Sequence, residues 1–173
     1  MDPERELWER LRRGEPEAFG HFYRQHAARL QAFLRRYLDD AKAAEDVAQE
    51  AFLQLWRHPN GFNPAGATLR AYLFGIAAKR AADWWRHLER EKKTSTHSGP
   101  PYDAEAGILM EDALARLEPE RRSLLWLREV EGYTCAELAA MLDIPIGTVK
   151  SRLFAARERL RRIWKGEGPE EGL

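Results

Sequence analysis

A single cysteine, Cys135, stands among 173 residues, so no internal disulfide can form and a reducing compartment fits. Long apolar runs are also missing. Although 44% of residues are hydrophobic, no stretch approaches the ~20 apolar residues that a membrane helix needs. A soluble globular protein without membrane insertion is therefore expected. Net charge is absent as well. The 28 basic and 28 acidic residues cancel, which argues against a non-specific nucleic-acid coat. The opening Met1-Asp2-Pro3-Glu4-Arg5-Glu6 has neither the basic start nor the apolar stretch of a secretory signal, so a cytoplasmic location is expected. No alternating strand pattern and no internal repeat is visible.

What remains is helical periodicity, and the expected fold class is all-α. Asp2-Pro3 can cap a first helix that turns Leu7, Trp8 and Leu11 inward and ends at Gly14. Pro16 opens a second to about Leu38, with Phe19, Phe22, Tyr23, Leu30, Phe33, Leu34 and Tyr37 inside. Asp40 caps a third to about Trp56. After the Pro/Gly/Asn-rich loop from His58 to Gly66, a long fourth runs from about Thr68 to Glu91. The polar, Gly/Pro-containing residues 93–103 read as a flexible linker. Beyond it, one helix is expected over 104–117 and another from Pro119 through Leu125, Leu127 and Val130 to Gly132. This divides the chain into an N-terminal helical domain at 1–92, the linker, a C-terminal domain at 104–165 and a frayed tail at 166–173.

The C-terminal domain carries the sharpest local signal. Thr134 and Glu137 form a T-x-x-E capping box, Leu138, Ala139 and Leu142 give an apolar face, and Asp143-Ile144-Pro145 breaks the helix. A second helix follows with Val149, Leu153, Ala156 and Leu160 buried. This is the sequence form of a helix-turn-helix, whose second helix enters the DNA major groove. Charge changes sign at the same place. Residues 146–165 hold seven basic residues and one acidic; residues 109–145 hold four basic and eight acidic. Attraction to phosphate calls for such a boundary, whereas a solvated Arg-rich helix end is the plainer alternative. Joined to the helix-turn-helix pattern, DNA binding is the stronger reading.

Two constellations stand out in the N-terminal domain. Residues 39–50 hold five carboxylates and one lysine, with Asp46 and Glu50 one helical turn apart. A helix-dipole cap or a polar protein-docking face with Gln49, Gln54 and Trp56 explains this better than a metal site, which would want a second carboxylate set on a facing helix. His21, His26, His58, His87 and His97 show no metal spacing with Cys135 or the carboxylates, so neither metal nor other cofactor is expected. On the fourth helix, aromatic residues interleave with Lys79, Arg80 and Arg86. Rings on which bases stack and cations that hold the backbone suit unpaired DNA. Only some of Tyr72, Phe74 and Trp85 are expected to be available, since helical spacing also fits core packing. The loop around Phe62 and Asn63 could line a pocket for an extruded base.

Taken together, the two halves resemble an extracytoplasmic-function (ECF) sigma factor of the sigma-70 family. The resemblance runs from about Phe19 to Leu160. It rests on Ala44-Glu45-Asp46-Val47-Ala48-Gln49-Glu50-Ala51-Phe52, on Gly147-Thr148-Val149-Lys150-Ser151-Arg152-Leu153, and on Leu117-Glu118-Pro119-Glu120-Arg121-Arg122. It implies a region 2-like and a region 4-like helical domain, and a non-catalytic subunit that carries RNA polymerase to promoters and helps open them. Asp46, Gln49, Glu50 and Leu53 then look like a polymerase-binding surface. Phe62 and Asn63 in the loop, with Tyr72, Lys79, Arg80, Asp83 and Arg86 on the fourth helix, look like readers of the −10 single strand. Thr148, Lys150, Ser151, Arg152, Phe154 and Arg157 look like readers of the −35 duplex. The implied partners are core RNA polymerase, promoter DNA and an anti-sigma protein. Tyr72, Ala78 and Lys79 stand where the family often has Trp, Arg and Asn, so the general −10 role is implied but not its sequence. The competing expectation is a helix-turn-helix regulator with a helical sensor domain, binding duplex DNA as a dimer without polymerase. A helical metal hydrolase is a distant third.

Overall fold

The computed structural model describes residues 2–91 and 110–166, with Glu111 described by its backbone alone. The expected linker at 93–103, His97, the expected helix start at 104 and the tail from 167 lie outside the described residues. All regular structure among the described residues is helical.

The first group has four helices, each started by a local signal. Asp2 Oδ1 accepts the Glu4 amide at 3.1 Å and Pro3 opens α1 (Pro3–Arg12), which stops ahead of Gly14 at φ +72°. Pro16 opens α2 (Pro16–Leu38), which closes on Asp39 in the left-handed region at φ 53°. Asp40 Oδ1 accepts the Ala43 amide at 3.0 Å to begin α3 (Ala41–Arg57). A short tight helical turn, Pro59–Gly61, leads into the loop before α4 (Leu69–Glu91), and Thr68 Oγ1 accepts the Ala71 amide at 3.1 Å. Phe22, Leu30, Phe33, Leu34, Leu55, Leu73 and Phe74 fill the space between α2, α3 and α4. Burying each such side chain contributes roughly 1.5–3 kcal/mol. Tyr23 differs from expectation: it lies at the α2–α3 edge with one face on Phe52, ring centres 4.7 Å apart, and stays 40% exposed.

The second group holds α5 (Met110–Ala115), α6 (Pro119–Leu125), α7 (Cys135–Leu142) and α8 (Ile146–Trp164). The helix expected from Pro119 to Gly132 is α-helical only to Leu125. It widens through Trp126–Val130, closing with the Glu131 amide on Trp126 O at 3.1 Å, and Gly132 ends it at φ +78°. Val130 falls on the outside of this widened turn, half exposed instead of in the core. The capping box is formed in both directions: the Thr134 amide donates to Glu137 Oε2 at 2.6 Å, and the Glu137 amide donates to Thr134 Oγ1 at 3.1 Å. Asp143, left-handed at φ 54°, turns the chain from α7 into α8. Val149, Leu153 and Ala156 of α8 are buried in the core, with α8 packed on α6 and α7.

The two groups share one continuous apolar core. α7 lies so close on α4 that a Cβ on Gly75 would come within 2.9 Å of the Met141 carbonyl oxygen, so only glycine fits without displacement. Two arginines clasp the groups. Arg122 of α6, 5% exposed, donates through Nη1 to Arg36 O at 2.7 Å and to Asp39 Oδ2 at 2.5 Å. Arg70 of α4 donates to Tyr133 Oη at 2.9 Å, Glu131 O at 2.8 Å and Glu131 Oε2 at 3.0 Å. Its guanidinium lies 4.9 Å from the Tyr133 ring centre.

Candidate nucleic-acid and protein interfaces

The loop before α4 and the exposed side of that helix enclose a cleft of about 690 Å³. Six of the seven residues proposed from sequence for unpaired DNA line it: Phe62, Asn63, Tyr72, Lys79, Arg80 and Asp83. The seventh, Arg86, lies one turn further along α4 and donates to Asp83 Oδ1 at 2.9 Å. Their surroundings differ. Phe62 is buried, its ring 5.6 Å from Tyr72 and 6.0 Å from Trp8, so it forms the wall and not a platform. Tyr72 is half-buried, and burial raises its phenol pKa, keeping the hydroxyl protonated. Lys79 is exposed. Arg80 donates through Nε and Nη2 to Gln54 Oε1 at 3.0 and 2.8 Å and lies 3.7 Å from Glu50 Oε2. Of the other aromatic candidates, Phe74 is fully buried, and Trp85 is half-buried with its indole N–H donated to Tyr37 O at 3.1 Å. Tyr72 is thus the one ring of these three at the cleft. The far wall comes from the second helical group, through Ala140 and Met141 of α7.

α3 has two faces of opposite character. Val47, Ala48, Ala51 and Phe52 are buried, whereas Asp46, Gln49, Glu50 and Leu53 are all exposed on the other side. The 3–4 residue spacing of the helix puts these four on one strip. Leu53 remains 38% exposed, an apolar point beside two carboxylates. Asp46 has Lys42 3.9 Å away, a contact too exposed to contribute much. Glu50 faces both this strip and Arg80, which joins the strip to the cleft.

α8 presents Lys150, Ser151, Arg152, Phe154 and Arg157 to solvent, with Thr148 half-buried in its first turn. Lys150 and Arg152 have no hydrogen-bond or ion-pair partner among the described residues. Phe154, 69% exposed, is the most exposed of the large apolar side chains among the described residues. Arg157 pairs with Glu129 at 2.5 Å, and Ser151 Oγ donates back to Thr148 O at 3.1 Å.

Several residues that shape these surfaces carry no pattern in the sequence. Gly75 and Met141 line the cleft at the contact of α4 with α7, Arg70 ties α4 to Glu131 and Tyr133 just ahead of α7, Arg122 ties α6 to the end of α2, and Glu4 and Trp8 of α1 reach the cleft loop. Each acts across a long chain separation, which local spacing does not reveal. Cys135 is half-buried against the core in the first turn of α7. Among the described residues no group of three or more His, Cys, Asp or Glu side chains could hold a metal ion, and no helix is long and apolar enough to cross a membrane.

Comparison with known proteins agrees with this geometry. The family Sigma-70 region 2 matches residues 22–91, the span of most of α2 to α4, and Sigma-70 region 4 matches residues 108–160, the span of α5 to most of α8. RNA polymerase sigma factor CarQ of Myxococcus xanthus is 32% identical over 90% of this chain and 94% of its own. ECF RNA polymerase sigma factor SigL of Mycobacterium tuberculosis is 34% identical over 80% of this chain and 84% of its own. The sigma factor RpoE of Bartonella quintana, solved in complex with the anti-sigma factor NepR, superposes with a TM-score of 0.68 at 26% identity, covering 87% of this chain and 98% of that one. With both helical groups matched in the same order and over nearly their full length, the chain belongs to the sigma-70 family, in its extracytoplasmic-function group.

Proposed function

We propose that the exposed strip of α3 docks on core RNA polymerase, that the cleft between the loop and α4 reads the unpaired −10 strand, and that α8 reads the −35 duplex. The working domains are 1–92 and 104–165, tethered by 93–103, with 166–173 as a tail. Acting together they direct core polymerase to particular promoters and favour strand opening. The protein does this in the cytoplasm without catalysis of its own, and an anti-sigma protein restrains it, as NepR binds RpoE in the solved complex.

One observation carries the reading: residues proposed for unpaired DNA from a loop and a helix converge on one cleft, with Tyr72, Lys79 and Asn63 around it. Stacking on an aromatic ring is worth ~1–3 kcal/mol per base, so Tyr72 with a nearby cation can stabilise an extruded base. On α8, Lys150 and Arg152 offer unpaired donors for guanine edges or phosphates, and Phe154 can meet a thymine methyl. A stand-alone helix-turn-helix regulator leaves the α3 strip and the cleft without a role.

Co-purification with core polymerase tests the assignment. Asp46→Ala and Gln49→Ala are expected to weaken association with core polymerase while leaving duplex binding by α8 unchanged. Variants that bind core polymerase like the parent protein would remove the α3 strip from the account.

A further inference from the structure

α1 precedes the residues matched by the region 2 family, yet it grips the cleft loop at both ends. At the loop's start, Trp8 Nε1 donates to Pro59 O at 3.0 Å, a contact spanning 51 positions. At its end, Glu4 Oε2 accepts the Leu69 amide at 2.9 Å, across 65 positions, on the first residue of α4. Between these, the Trp8 indole and the Phe62 ring meet edge to face, ring centres 6.0 Å apart. Phe62 in turn packs on Tyr72 at 5.6 Å, and a Cβ on Gly61 would overlap the Tyr72 hydroxyl. The guanidinium of Arg12, 5.0 Å from the ring centre, lies over Trp8. The loop's own bonds are short-range turns, such as Gly66 N–H to Asn63 O at 3.2 Å and Ala65 N–H to Asn63 Oδ1 at 3.0 Å. These shape its tip but do not anchor it to the body of the protein.

We infer that Glu4 and Trp8 are positioning residues for −10 recognition: α1 holds the loop so that Asn63 and Tyr72 keep a fixed geometry in the cleft. This rests on the assignment of the cleft to the −10 strand. A loop free to shift by about 1 Å would still carry the same side chains but would distinguish bases poorly, because hydrogen-bond energy falls steeply with distance and angle. A merely structural role for α1 would change how much protein is folded. It would not change how sharply the folded fraction discriminates.

The test uses holoenzyme assembled from the full chain and core RNA polymerase. The probes are a single-stranded oligonucleotide selected from a randomised −10 pool and the same strand with one contacted base made abasic. The ratio of the two dissociation constants is independent of the active fraction. Glu4→Ala and Trp8→Phe, which each remove one anchoring bond, are expected to lower that ratio about fivefold, the equivalent of one hydrogen bond. Glu4→Gln retains an acceptor and should restore most of it, and affinity for core polymerase and for −35 duplex should stay at the parent level. Asn63→Ala and Tyr72→Ala serve as direct probes of the cleft. If those two lower the ratio while Glu4→Ala and Trp8→Phe leave it intact, the positioning role is overturned and the cleft assignment stands. If all four leave it intact, the cleft does not read the −10 strand and both fall.

Discussion

The cleft and the outer face of α8 are built in opposite ways. In the cleft two of the charged lining residues are already engaged, Arg80 with Gln54 and Glu50, and Asp83 with Arg86, while Lys79 is exposed and Met141 of α7 closes one side. On α8, Lys150 and Arg152 have no partner among the described residues and Phe154 stands clear of the surface. A rigid, exposed, cationic helix suits a rigid duplex, which it can meet without rearrangement. If the cleft reads the −10 strand as proposed, Arg80 and Asp83 exchange their present contacts for bases beside a far wall that belongs to another helical group. On the proposed assignments, one DNA surface stands fully formed while the other is closed on one side by Ala140 and Met141 of the second helical group.

The strongest way to break the comparison is to release the cover. Arg70→Ala leaves the Glu131 carboxylate, whose side chain is 3% exposed, with Arg29 alone at 3.5 Å. Leaving a buried charge short of its partner costs about 3 kcal/mol or more, so the variant should unfold at clearly lower denaturant concentration. Amide exchange in α7 should speed up as well. A double-mutant cycle with Glu131→Ala should recover much of the loss, and additive losses would mean the pair is not coupled. Gly75→Ala acts on the same contact sterically. Its Cβ would sit 2.9 Å from the Met141 carbonyl oxygen, and overpacking of this kind costs about 1–3 kcal/mol. Small-angle scattering should show a larger radius of gyration, with helix content by circular dichroism retained.

The open surface is broken separately. Lys150→Ala or Arg152→Ala should weaken −35 duplex binding by the holoenzyme by about tenfold, equivalent to ~1.4 kcal/mol. Affinity for the −10 single strand should not change. Loss of both together would mean the two surfaces are not independent.

A smaller effect is expected with pH. Burial, together with the charges of Arg70, Arg29 and His21, lowers the His26 pKa from 6.5 to about 4. The folded state therefore binds this proton less readily than the unfolded chain does. The resulting stability is fully present above pH 6.5 and is lost as pH falls toward 4. Charging His26 also sets another cation beside the Arg70–Glu131 clasp. Denaturation midpoints should fall across that window, and His26→Phe, which keeps a ring against Phe22, should show a shallower fall.

What was legible in the sequence was what is local. Caps at Asp2, Asp40 and Thr134/Glu137, prolines at 16 and 119, and the break at Asp143 all act within a turn or two, and helices begin or end there. The apolar faces of α2, α3 and α8 followed from the 3.6-residue period. The grouping of −10 candidates was legible in residue type but not in role within the cleft. Phe62 and Asn63 read as the lining of a pocket, and both line the cleft, Phe62 as a buried wall. Phe74 reads as a possible platform and is core. The contacts between the two helical groups were hidden because an arginine on an amphipathic helix looks like any solvated cation. Nothing near Arg122 in sequence points to Asp39, 83 positions away. The widening at Trp126–Val130 had no breaker residue to announce it, and it carries Glu131 and Tyr133 to Arg70.

Run-off transcription with core RNA polymerase, on templates selected from a randomised promoter library, is the decisive experiment. Specific transcripts should appear only when chain and core polymerase are both present, with strand opening centred on the element selected through the cleft. A chain that grips intact duplex tightly by itself, never associates with core polymerase and yields no transcript would contradict it.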